Sequence, residues 1–262
     1  MSILPTLFVP HGAPTFALAP GPAGQAMCDW ACRIEKPRAV LVVSAHWDTA
    51  EPCLGAAMRP ETIHDFWGFP DALNELGYPA TGAPGVAMKA KQLLDAGGFH
   101  AALDHERGLD HGAWIPLRIL FPTAGVPVAT LSIQSALGPR HHYRVGQALA
   151  PLAAQGVLIV ASGNLTHNLS HYRPAAAGAG EPPYVGRFQA WFWDRLVARD
   201  VESLLAYRGL APGSVEAHPR DDHLLPLFVA LGAAGPDFTA ERVFKGVYEN
   251  MLAMDSFAFW PS

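Results

Sequence analysis

Twelve histidines in a 262-residue chain matter less for their number than for their positions. His11 follows an apolar run in Val9-Pro10-His11-Gly12-Ala13-Pro14, and His46 closes another in Ser44-Ala45-His46-Trp47. His167 follows a third, in Asn164-Leu165-Thr166-His167-Asn168. In open α/β sheets the carboxyl ends of strands border the ligand crevice. Three strands that each end in an imidazole would therefore bring those rings to one neighbourhood. A lone strand-end histidine is ordinarily a satisfied core or loop residue. Here two are followed by Gly-Ala-Pro and by Trp, where backbone approaches closely and an apolar wall is at hand, which favours a site.

His111 in Asp110-His111-Gly112-Ala113-Trp114 and His223 in Asp222-His223-Leu224-Leu225-Pro226 join these candidates. His64, in Ile63-His64-Asp65-Phe66-Trp67, stays open between site and packing, and His218 before Pro219 is a further candidate. Aspartates adjoin His64, His111 and His223, although a sequence neighbour need not touch the ring. His100, His105, His141, His142 and His171 lack such surroundings and are expected at the surface or behind the site.

Imidazole suits Zn, Cu, Ni and Fe(II), and a set of three protein ligands leaves coordination positions open. Cys28, Cys32 and Cys53 lack the paired spacing of a cluster or thiolate finger and are expected to be packed, reduced thiols. The chain has no His-Glu-x-x-His helix, no Gly-x-Ser-x-Gly elbow and no phosphate-binding Gly-Lys-Ser/Thr loop. The usual hydrolase and nucleotide-binding chemistries thus find no support.

The elements that must position these side chains read as alternating strands and helices. Short β-branched runs at 6–9, 39–45, 126–133 and 157–161 predict buried strands. Helical stretches are expected at 22–34, 85–96, 113–120, 140–154, 186–199 and 223–231. The segments 242–248 and 251–260 alternate apolar and polar residues like an edge hairpin. The expectation is one domain over residues 1–262, a three-layer α/β fold whose mixed central sheet carries helices on both faces. Gly and Pro, 25 and 24 of them, gather in loops at 12–24, 78–84 and 174–183, and loops that long on a rigid sheet build or cover sites. The Ala/Gly stretch 175–180 is expected to be a mobile surface loop.

Hydrophobic residues make up 50% of the chain and charged residues 16%, a balance that buries large apolar segments. With 18 Lys+Arg against 23 Asp+Glu, a net charge of -5 and no basic run, nucleic acid is not an expected partner. The first residues lack the pattern of a signal peptide, and no apolar run reaches membrane-spanning length, so neither membrane nor export is expected. A cytoplasmic location follows as an expectation.

Five motifs in order resemble the class III extradiol dioxygenases of the protocatechuate 4,5-dioxygenase type, above all the DOPA 4,5-dioxygenase subgroup. They are Pro10-His11-Gly12-Ala13-Pro14, Ser44-Ala45-His46-Trp47, Leu109-Asp110-His111-Gly112, Gly163-Asn164-Leu165-Thr166-His167-Asn168, and His218-Pro219 with His223-Leu224-Leu225-Pro226-Leu227. The resemblance implies a non-haem Fe(II) enzyme that opens a catechol-type ring with O2. His11, His46 and His223 would be the metal ligands and His167 the acid–base residue. His111 would be a second catalytic histidine on the substrate side, where His218 and Trp47 are also expected. The protocatechuate branch completes its site with a glutamate, whereas this chain offers His223, with Asp222 and Glu216 as fallbacks. Less negative charge makes such a site less selective for iron and open to Zn(II). Trp47, Phe66, Trp67 and Trp114 either wall the ring or pack in the core. The competing readings are a zinc-dependent hydrolase using the same histidines and a metal-free binding protein on the same scaffold.

Overall fold

The computed structural model describes residues 3–172 and 180–261. Four parallel strands form the centre of the sheet: β1 (Thr6–Pro10), β2 (Ala39–Asp48), β5 (Val128–Ile133) and β6 (Val157–Gly163). On one side of them lie β3 (Cys53–Gly55) and β4 (Ala102–Asp104), and on the other β7 (Thr239–Phe244) and β10 (Ser256–Trp260), giving the order β4-β3-β5-β2-β6-β1-β10-β7. β3 runs antiparallel to β5, and β10 antiparallel to both β1 and β7, so the sheet is mixed. A separate ribbon of β8 (Val247–Tyr248) and β9 (Leu252–Ala253) interrupts the terminal hairpin.

The long helices are α1 (Gly21–Ala31), α2 (Pro84–Ala96), α3 (His111–Leu120), α4 (Gly138–Leu149) and α5 (Pro183–Val197). Short helices α6 (Val201–Leu205), α7 (Tyr207–Leu210) and α8 (Ser214–Ala217) lead to α9 (Leu225–Ala234). Successive residues of a strand face opposite sides, and β2 shows the consequence. Leu41 and Val43 enter one core with Leu94, Leu149, Phe192 and Leu231, while Val40 and Val42 enter the other with Met27, Trp30, Trp114 and Leu117. Helices therefore cover both faces of the sheet, as the continuous apolar strands require. No helix among the described residues is long and apolar enough to cross a membrane.

Several boundaries differ from the sequence expectation for identifiable reasons. β2 runs to Asp48, so His46 lies inside the strand, where the ladder with β5 shifts register between Val43 and Asp48. Such irregularities re-aim side chains. α9 begins at Leu225, with a proline in its first turn, and leaves His223 in the loop before it rather than within a helix from 223. α3 begins two residues earlier than expected because the Asp110 carboxylate caps it, accepting from the Ala113 N–H at 3.1 Å. The edge hairpin expected at 242–248 and 251–260 is real in β7 and β10 but has the β8–β9 ribbon folded between its arms. Most of the Ala/Gly stretch 175–180 lies outside the described residues.

Candidate metal centre

Two glycines allow the site to close. Gly12 turns the chain after His11 at φ +63°, a conformation that side chains resist. Gly163 ends β6 where a Cβ would lie 2.0 Å from the His223 carbonyl oxygen. That close approach lets the Asn164 N–H donate to the same carbonyl at 2.9 Å, seating the His223 segment on the end of β6. The Asn164 side chain in turn accepts from the Gly12 N–H at 3.2 Å. β1, β6 and the loop before α9 are thereby fastened together at the carboxyl ends of the central strands.

There His11, His46 and His223 each offer a ring nitrogen, and these atoms all lie within 4.8 Å of one another. His11 and His223 are buried. The Ser162 hydroxyl lies 3.0 Å from His11 Nδ1, leaving Nε2 free to face His46 Nε2 at 3.0 Å. His223 Nε2 is buried with no hydrogen-bond partner. An orphaned buried nitrogen is costly unless something else meets it. Two nitrogens each about 2.1 Å from one cation, at right angles to each other, lie about 3.0 Å apart. The donor set is therefore compatible with a bound metal ion. Burial, then the neighbouring imidazoles, push His11 and His46 well below the ordinary histidine pKa, so both are neutral and carry lone pairs at pH 7.

The other candidates take distinct places. His167 stacks on His223 with ring centroids 3.5 Å apart and planes 5° apart, and burial lowers its pKa. His111 lies on the opposite side, its ring centroid 3.9 Å from that of His46. His218 is enclosed by protein. It is 0% exposed, its Nε2 lies 2.8 Å from the Leu165 carbonyl, and its ring packs near Phe188 and Tyr207. Trp47 is also buried, with the Arg107 guanidinium 5.0 Å from its ring centre, so its face is occupied by protein. Phe66 does approach His111, at 5.8 Å between centroids, whereas Trp114 belongs to the core and Trp67 is 88% exposed. His64 Nε2 lies 2.9 Å from the Leu76 carbonyl, a packing arrangement. Cys32 is exposed rather than packed, and all three thiols are free.

Two carboxylates escape a reading of the sequence alone. Asp65 Oδ1 accepts from the His111 backbone N–H at 2.9 Å and lies 3.0 Å from His111 Nδ1. Burial would raise the Asp65 carboxyl, but its contacts with His111 outweigh it and lower the pKa to about 2. Asp222 Oδ1 accepts from the His223 N–H at 3.0 Å and lies 3.2 Å from His223 Nδ1. The exposed Glu216 takes no such place. Asp110, although next to His111, bonds instead to the Ser44 hydroxyl at 2.6 Å and to Arg107 at 2.9 Å.

Buried histidines make the fold sensitive to acid. Burial pushes His142 and His218 down to about 4. The Gln134 N–H donates to His142 Nε2 at 3.1 Å and so keeps that nitrogen unprotonated, while the Gly138 carbonyl, 2.7 Å from Nδ1, offsets only part of the effect of burial. Below pH 6.5 the unfolded chain takes up protons that the folded one refuses. Stability is therefore complete above that pH and is lost toward pH 4, at about 1.4 kcal/mol per pH unit for each ring. The melting temperature should fall by several degrees between pH 7 and 5.5, and a flat profile in calorimetry would contradict this.

The model of the family described as the catalytic LigB subunit of aromatic ring-opening dioxygenase matches residues 8–258. A 4,5-DOPA dioxygenase extradiol of Beta vulgaris is 39% identical over 262 residues, covering 98% of this chain and 97% of the relative. The protein of that name from Escherichia coli K12 is 35% identical over 256 residues, covering 96% and 93%. A crystal structure of an uncharacterized Escherichia coli K12 protein superimposes with a TM-score of 0.81 at 27% identity, covering 97% of this chain and 99% of that one. The chain belongs to the LigB family of aromatic ring-opening dioxygenases.

Proposed function

We propose that this protein is an extradiol dioxygenase that opens a DOPA-like catechol with O2 and uses Fe(II) held by His11, His46 and His223. The observation that carries this reading is the convergence of those three imidazoles, with His11 and His46 facing nitrogen to nitrogen at 3.0 Å. The relatives named for DOPA support the substrate class. A bound ferrous ion would supply Lewis acidity to the catechol hydroxyls and electrons to dioxygen. Zn(II) would fit the same nitrogens without supplying the electrons.

The chain's own groups do the rest. His167, kept neutral by burial, takes the proton of a catechol hydroxyl on a ring nitrogen and later returns it. His111, on the other side of the trio, offers a ring nitrogen that accepts a hydrogen bond or a proton from the substrate during ring opening, with Phe66 against its ring to exclude water. Ser162 fixes the orientation of the His11 ring, and Asp222 that of His223. The reading treats residues 1–262 as one working unit, because β1 pairs with both β6 and β10 and so ties the two ends of the chain together. It also places the protein in the cytoplasm, where three free thiols stay reduced.

Anaerobic loading with Fe(II), followed by oxygen-electrode measurements, tests the reading. One iron per chain and oxygen uptake with L-DOPA or another catechol are expected, with no uptake for the zinc-loaded protein. Iron binding without uptake from any catechol would overturn it.

A further inference from the structure

Asp65 sits on a loop that is also held by bonds other than those of its carboxylate. The Ile63 N–H donates to the Leu109 carbonyl at 2.7 Å, and Trp114 Nε1 donates to the Ile63 carbonyl at 3.0 Å. These bonds tie the loop to the start of α3, which carries His111. With the loop so fixed, one oxygen of Asp65 meets both the backbone N–H of His111, at 2.9 Å, and its Nδ1, at 3.0 Å. The first contact is an aligned hydrogen bond. The second is close but not aligned, and Nδ1 has no other partner. Hydrogen bonds between catalytic groups often align only when the substrate is bound. The second Asp65 oxygen is 4.0 Å from His46 Nδ1, so His111 is its principal partner.

A neutral imidazole has one donor nitrogen and one acceptor, and an ionised carboxylate can only accept. We propose that Asp65 is a positioning residue: it takes the Nδ1 proton of His111 in a hydrogen bond, and so fixes the tautomer that leaves Nε2 as the free acceptor for the reaction. The assignment rests on the proposed role of His111 in ring opening. No other acidic side chain meets the His111 ring among the described residues. Asp110, its sequence neighbour, is already engaged by Ser44 and Arg107.

Nitrogen-15 NMR of the metal-free protein, with the His111 signals assigned by loss in His111→Gln, tests the tautomer directly. In the wild type the proton is expected on Nδ1, and in Asp65→Ala on Nε2 or exchanging between the two. A wild-type His111 protonated on Nε2 would overturn the proposal whatever the enzyme's activity. The kinetic counterpart compares wild type, Asp65→Ala, His111→Ala and the double variant, each loaded with Fe(II). Asp65→Ala should keep its iron and KM and lose about 10–100-fold in kcat, the usual cost of removing such a partner. In the His111→Ala background it should cost nothing further. Asp65→Asn, whose amide oxygen can take over both contacts, should recover part of the loss. Independent, multiplying losses would overturn the proposal, as would loss of iron in Asp65→Ala, which would make Asp65 act through His46. A wild type inactive toward every catechol would instead overturn the functional reading, visible in that protein alone, and would remove the kinetic role of Asp65 with it.

Discussion

His11→Ala is expected to fold, to retain almost no iron after gel filtration and to lose all measurable turnover. The His11 Nε2 faces His46, and its ring centroid lies 5.1 Å from that of His223. Removing it leaves two imidazoles, which chelate far more weakly than three. Partners that merely orient a ligand cost about 10–100-fold in metal affinity or activity, so a ligand itself should cost more. Loss of the buried ring and of its contact with Ser162 will also lower stability, by about 1–3 kcal/mol. Iron content per chain, measured beside the melting temperature, separates the two effects. A folded variant with full iron occupancy would remove His11 from the metal site.

His167→Ala should behave in the opposite way, keeping its iron while turnover falls by about 10²–10⁴-fold, the usual contribution of a positioned acid–base group. His167, Asp222 and His223 also form a group whose ligand atoms lie within 4.8 Å of one another. The parallel stacking of His167 on His223 argues against a shared ion for those two rings. Stacked faces do not aim their in-plane lone pairs at one point. Iron content with turnover at saturating catechol and oxygen decides the matter. An iron-free variant would make His167 a ligand, and an unimpaired one would make it a bystander.

What the sequence could reveal about this site follows the range of the interactions. His11 and His167 were legible because β1 and β6 are short β-branched runs, and the residues after such runs lie at the carboxyl ends of the strands, where an α/β sheet borders its ligand crevice. His46 was legible in place but not in conformation, since the register shift beside β5 that accompanies it is a property of two strands together. Pro226 in the first turn of α9 was a start signal that placed His223 outside the helix, and the apolar run beyond it obscured that signal. The three-residue strands β3 and β4 carry too little pattern to be found.

Asp65 shows where sequence reading stops. It follows His64, yet its carboxylate serves His111, 46 residues away, while His64 turns to the Leu76 carbonyl. Asp110 precedes His111 and serves Ser44. Only Asp222 meets the ring of its sequence neighbour. His218 was misplaced for a related reason. Its motif lies near that of His223, but the short helix α8 carries it under the Leu165 loop into the core.

The fate of the oxygen atoms decides whether this chain is a dioxygenase. The Fe(II)-loaded enzyme is given L-DOPA under 18O2 in ordinary water, and the ring-opened product is analysed by mass spectrometry. A dioxygenase puts heavy oxygen into the new carboxylate, and the product fails to form under argon. A product that forms as fast under argon and carries only oxygen from water would contradict the account and make the three histidines the site of a hydrolase.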